Sequence, residues 1–213
     1  MKNLSKLIAI ALLAHAPATL ATPGWYAQIT GGLANQGDQN LRYAPGDVRR
    51  EASLSSGILG GAAIGYALGN GWRLEGEFMY QSVDMDRVSF GAGLPSGDGN
   101  FASTSFAANA LYEFDWLGSP KARTYVGIGY ARLTEVDIDF ETGGTESSFS
   151  GSDGAVQLLF GARYDLGESS FIDAGLRYLT ASAVELEGED RAAGTIRADY
   201  QPWAVTLSWG WRF

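Results

Sequence analysis

The 213-residue chain has no cysteine and a single histidine, His15. His15 falls inside an N-terminal leader, so the mature chain has neither residue type. This absence removes disulfides, the thiol nucleophile, the commonest metal ligand and the usual general base at neutral pH. No cofactor, metal or catalytic residue is expected. Long apolar runs are scarce too. Beyond Leu7 to Leu13, nothing approaches the ~20 residues a membrane-crossing helix needs. That does not exclude a membrane protein, because a barrel strand shows only alternation over about ten residues. Basic residues are few. Removing Lys2 and Lys6 from the 15 basic residues leaves 13 against 24 acidic ones, a net charge of −11. Such acidity argues against nucleic acid as a partner, since binding it wants a basic face.

The leader combines Lys2 and Lys6, the apolar Leu7 to Leu13, and small-residue sites at Ala16-Pro17-Ala18 and Thr19-Leu20-Ala21. It reads as a secretory signal over residues 1–21, cleaved after Ala21 or, as second choice, after Ala18. The remaining 22–213 reads as one domain. Its 29 glycines and 12% aromatics suit many strands, tight turns and aromatic girdles.

The last stretch, Gln201 to Phe213, shows the pattern most clearly. Trp203, Val205, Leu207, Trp209, Trp211 and Phe213 alternate with Pro202, Ala204, Thr206, Ser208, Gly210 and Arg212. Strict alternation marks a strand whose two faces meet different surroundings. Large apolar and Trp side chains on one face suit lipid and its boundary with water. Seven further segments alternate in the same way: Trp25 to Ala34, Ser53 to Leu68, Trp72 to Val88, Phe101 to Asp115, Ala122 to Phe140, Asp153 to Leu166, and Ser170 to Leu186. Short connections follow the second, fourth and sixth. Longer polar ones, 35–52, 89–100, 141–152 and 187–194, follow the others. The expected fold is all-β, an eight-stranded antiparallel up-and-down transmembrane β-barrel with short periplasmic turns and long external loops. Trp25, Trp72, Trp116 and Trp203 are expected in an aromatic girdle.

The inner faces carry Arg73, Arg123, Arg163, Arg177 and Arg212, against Glu75, Glu77, Glu113, Asp115, Asp165 and Asp173. An eight-stranded barrel is just filled by side chains, and near-balanced charges there predict a closed, paired network. A gated, water-filled conduit is the alternative. Glu75 and Glu77 lie two apart because alternation puts them there, so they are not an acid–base dyad. Arg42, Arg49 and Arg50 in the first long loop could meet lipopolysaccharide phosphates. Glu135, Asp137, Asp139, Glu185, Glu187, Glu189 and Asp190 could meet cations, but no spacing matches a metal loop. Solvated rim charges are the better reading of both groups.

Several runs carry a family resemblance. They are Gly71-Trp72-Arg73-Leu74-Glu75-Gly76-Glu77-Phe78, Ser105-Phe106-Ala107-Ala108-Asn109-Ala110-Leu111-Tyr112-Glu113-Phe114, Tyr125-Val126-Gly127-Ile128-Gly129-Tyr130, Asp173-Ala174-Gly175-Leu176-Arg177-Tyr178 and Arg212-Phe213. With the leader, they resemble small Gram-negative outer-membrane β-barrel proteins of the opacity-protein and outer membrane protein A-like kind. The resemblance implies an outer-membrane location, with lipid and lipopolysaccharide as surroundings. It implies that Trp209, Trp211 and Phe213 form the signal read by the assembly machinery. It also implies any extracellular partner would meet the long loops. Family roles range over adhesion, envelope integrity and minor porin activity. Larger members carry a peptidoglycan-binding domain after the barrel, and this chain stops at Phe213. Family deacylases use a His–Ser arrangement that the mature chain cannot supply. The expected function is a non-enzymatic structural or surface-interaction barrel closed by paired charges, with a small channel for ions or small solutes as the alternative.

Overall fold

Alternating sequence becomes alternating burial. Along Trp72–Ser89, each residue from Trp72 to Val83 with an even number faces outward and each odd one is buried. This two-residue period is what a pleated strand imposes. The computed structural model describes residues 23–37, 39–44, 48–89, 97–142, 145–189 and 194–213. The expected leader, residues 1–21 with His15 and both expected cleavage sites, lies outside them.

The chain forms β1 (Gly24–Asn35), β2 (Gln39–Ala44), β3 (Val48–Ala67), β4 (Trp72–Ser89) and β5 (Gly97–Ser119). It continues with β6 (Ala122–Thr142), β7 (Thr145–Asp165), β8 (Ser170–Gly188), β9 (Thr195–Tyr200) and β10 (Trp203–Arg212). All pairings are antiparallel, between sequence neighbours except that β1 lies along β3, β10 lies along β8, and the ends meet. There β1 pairs with β10 and β2 with β9, so the sheet closes on itself.

Among the described residues there are ten strand segments where eight strands were expected. Two of them extend their neighbours. β1 and β2 both lie along β3 in one register, Asn35 opposite Ser56 and Gln39 opposite Ala52. β9 and β10 both lie along β8, Tyr200 opposite Ala181 and Trp203 opposite Tyr178. Pro202 explains the second break. Its carbonyl accepts from the Leu179 amide at 3.0 Å, but it has no N–H to return.

The long loops are a correction. Stretches expected as polar loops are largely strand: β2 and the start of β3 fill much of 35–52, and β5 begins at Gly97. β6 and β7 run to Thr142 and from Thr145, and β8 ends at Gly188. Residues 38, 45–47, 90–96, 143–144 and 190–193 of those expected loops lie outside the described set. The expectation failed because the alternation continues there with its faces exchanged. In β2, Leu41 is buried while Arg42 is exposed, and in β7 Phe149 is buried between half-buried Ser148 and Ser150.

Two interiors therefore stack along one axis. In the half of the barrel that ends at the short turns, the wall is apolar outside and charged inside. Leu33, Ile58, Phe106 and Leu207 stand more than half exposed, while Arg73, Glu113 and Arg163 are buried. Farther up the inside is apolar: Leu41, Val83, Phe101, Leu133, Val136, Ile138, Phe149, Val184, Leu186 and Ile196 are at most 2% exposed. Phe101 and Tyr200 stack with centroids 5.3 Å apart, and the Tyr200 hydroxyl meets Ser103 at 2.6 Å. The lower storey is an inside-out barrel, and the upper has the polarity of a water-soluble one.

Candidate functional site: the charged lumen

The lower-lumen network is built from alternate positions of seven neighbouring strands, β4 to β8, β10 and β1. At its mouth Arg123 (β6) donates to Asp165 (β7) at 2.6 Å, and Arg212 (β10) donates to the other oxygen of the same carboxylate. Glu113 (β5) bridges Arg73 at 3.0 Å and Arg123 at 3.5 Å. These two are ion pairs without hydrogen-bond alignment.

One step deeper, Arg163 (β7) reaches Asp173 (β8) at 3.3 Å and donates to the Gln28 side-chain amide oxygen, Oε1, at 3.1 Å. Its guanidinium sits 3.7 Å from the Phe171 ring centroid and 4.6 Å from that of Tyr26. Such contacts stabilise a cation that has lost its water. The Tyr26 hydroxyl donates to Glu75, which also faces Arg73 at 3.4 Å. The Tyr125 hydroxyl donates to Asp173 at 2.7 Å. Tyr125 fits because Gly161 and Gly175 face it. A Cβ at Gly161 would sit 2.5 Å from that hydroxyl.

The top of the lower storey is a two-pronged pair, Arg177 (β8) with both oxygens of Glu77 (β4). Gln157 (β7) touches Glu77 at 3.4 Å and donates to Asn109. Paired, hydrogen-bonded ions are the form in which charges survive burial.

The arrangement brings together Arg73, Glu75, Glu77, Glu113, Arg123, Arg163, Asp165, Asp173, Arg177 and Arg212. Asp115 is the exception and a correction. Its carboxylate accepts from the Gly118 amide at 2.7 Å and caps the β5–β6 turn. Without it, arginines and carboxylates are equal in number. Tyr26, Gln28, Asn109, Tyr125, Gln157 and Phe171 belong to the network but were not singled out from sequence. Their signal was position on the inward alternation, which gives direction but not contact. Glu75 and Glu77 each have an arginine partner, an arrangement with no free base.

The space left over is small. Between Gln28, Glu75, Glu77, Tyr125, Asp173 and Arg177 a void of about 20 Å³ remains. Below it, a vestibule of about 630 Å³ opens between Trp25, Arg73, Arg123, Asp165, Arg212 and Phe213. Trp25, Trp72 and Trp116 lie near the short turns, Trp203 at the upper edge of the apolar wall, and Trp209, Trp211 and Phe213 on its outer face. Above the wall, Asp137 is pushed up to about 6 by partial burial and then by Glu135, Asp139 and Glu189.

The family described as outer membrane protein beta-barrel domain matches residues 5–213. No curated protein matches. The solved outer membrane protein OprG from Pseudomonas aeruginosa is similar at 16% identity, with a TM-score of 0.68 over 92% of this chain and 99% of that one. Neisserial surface protein A is similar at 19% identity, with a TM-score of 0.52 over 89% and 97%. Outer membrane protein AlkL is similar at 16% identity, with a TM-score of 0.50 over 92% of each chain. At these identities the likeness concerns the fold.

Proposed function

This chain belongs to the outer-membrane protein β-barrel family, and from that membership we propose that it is a non-enzymatic barrel with a closed lumen and a structural or surface-contact role in the cell envelope. The observation that carries the reading is the stack of two fillings. Arg177 and Glu77 close the top of a paired-charge plug, and a packed apolar core stands directly above it. Opening a water path would separate buried ion pairs and hydrate apolar side chains together. Losing one partner of such a pair costs about 3–5 kcal/mol.

Surface contact is the natural use of what remains. β6 continues twelve positions past Tyr130 to Thr142. At ~3.3 Å per residue and a tilt near 40°, that is roughly 30 Å of wall above the lipid. Such a stalk, filled with its own core, holds the tips of the barrel at a fixed height for adhesion or for contact within the envelope. Lipid and lipopolysaccharide are its immediate neighbours.

Planar-bilayer recording tests the reading. Purified barrel should give no sustained conductance, and Glu77→Ala should add at most brief openings because the apolar core still blocks the way. A stable ohmic conductance from the unaltered protein would favour the channel for ions or small solutes instead. Hydrolysis of lipid A or phospholipid by the purified protein would overturn the non-enzymatic assignment.

A further inference from the structure

In each line of the wall, strand pairing is disturbed just beyond the last large side chain that faces lipid. β5 shifts register at Thr104/Ser105, past Phe106, and β6 at Leu133/Val136, past Tyr130. β7 loses its pairing to β8 between Val156 and Ser150, and β8 shifts against β9 at Ala181/Val184, past Tyr178. β3 is irregular between Ser53 and Gly57, past Ile58, and β4 between Met85 and Val88, beyond Tyr80. The first line stops at Asn35, past Leu33, and the last breaks at Pro202, beside Trp203.

The interior changes at this belt as well. Among the described residues no buried charge lies above it, and no large exposed apolar residue lies above it. At the belt itself Gln36 is fully buried with neither end of its amide hydrogen bonded. Bulges leave backbone groups unpaired and allow bending. Below the belt, lipid gives backbone groups no alternative to the ladder. Above it, water competes for every amide, and the core is held by apolar burial, which denaturants weaken.

We infer that the barrel above this belt is a separate cooperative unit, able to open and re-form while the charged plug and the membrane wall stay closed. The bulges are its hinge. This goes beyond the closed-lumen reading and does not depend on it: a conducting barrel would remove that reading and leave this one standing.

Hydrogen exchange of the full chain in lipid nanodiscs, followed through a urea series, tests the inference. Amides at Ile138, Phe149, Leu186 and Ile196 should lose protection together, at lower urea than those at Ile128, Leu158, Leu176 and Leu207. Val136→Ala should speed the upper group roughly tenfold and leave the lower group unchanged. Ile138→Val, a gentler change, should move the upper group in the same direction if Val136→Ala does not fold. Pro202→Ala supplies a donor toward the Leu179 carbonyl and should slow exchange in β9. One concerted loss of protection in the unaltered protein, or equal acceleration of both groups by the upper-core variants, overturns the proposal.

Discussion

At the scale of single residues, the network makes two predictions of opposite character. Arg177 holds Glu77 with both terminal guanidinium nitrogens, inside a wall that lipid surrounds. Arg177→Met leaves a buried carboxylate whose remaining contact is Gln157, and should cost about 3–5 kcal/mol. The double variant Arg177→Met, Glu77→Leu should recover much of that loss, because a matched apolar pair needs no desolvation. Urea unfolding midpoints in lipid vesicles measure both. Asp137 lies outside the membrane, and the fold raises its carboxyl to about 6. The raised value means the fold favours the protonated form. The resulting destabilisation is therefore fully present above pH 6 and relieved as pH falls through 6 toward the ordinary carboxylate range. The upper storey should be more urea-resistant at pH 5 than at pH 7, and Asp137→Asn should abolish the difference. The Ile138 methyl signal reports it. Alternation placed Arg177 and Glu77 inward from sequence alone. It misplaced Asp115 because the same parity continues past the last lumen layer, where the carboxylate finds the turn amide of Gly118.

At the scale of elements, β10 shows how much of the fold was legible. Trp203, Val205, Leu207, Trp209 and Trp211 are all exposed, and Ala204, Ser208 and Gly210 are buried, as the two-residue period required. From Trp203 to Phe213 the strand rises roughly 25 Å at ordinary rise and tilt, the height of an outer-membrane apolar band. The upper halves were harder to read. Val136, Ile138, Val184 and Leu186 alternate as clearly, but bulges at Leu133/Val136 and Ala181/Val184 separate them from their strands' lower halves. Those four fell inside expected strands, but Leu41 and Phe149, buried in the same storey, fell in stretches expected as loops, because a pattern whose polar face turns outward looks like a loop when lipid is assumed outside throughout. The element prediction follows from depth. Trp209→Lys should cost about 2–4 kcal/mol if the site lies near the bilayer middle and less toward the edge. Gln201→Lys, above the wall, should be close to neutral. Refolding yield into vesicles, read by heat-modifiable mobility on gels, separates the two.

At the scale of the whole molecule, the tryptophans serve as a map of what surrounds it. The chain has 6 of them, and Trp25, Trp72, Trp116, Trp203, Trp209 and Trp211 are all exposed on the outside, between 44% and 70%. A soluble barrel of this size would bury at least some of its Trp in the core, where their area contributes most. Here the upper, water-facing storey contains none, and the lower storey turns every one toward lipid. In vesicles with bromine at successive depths along the acyl chain, Trp fluorescence should be strongly quenched throughout. Restoring Trp209 and Trp211 singly in a background where the others are Phe should show the deeper bromines acting more on Trp209. Trp203 and Trp25, at opposite edges of the band, should respond most to bromine near the headgroups. Quenching by aqueous acrylamide with no response to brominated lipid would mean water, not hydrocarbon, surrounds the lower wall. The paired charges would then have no reason to be inside.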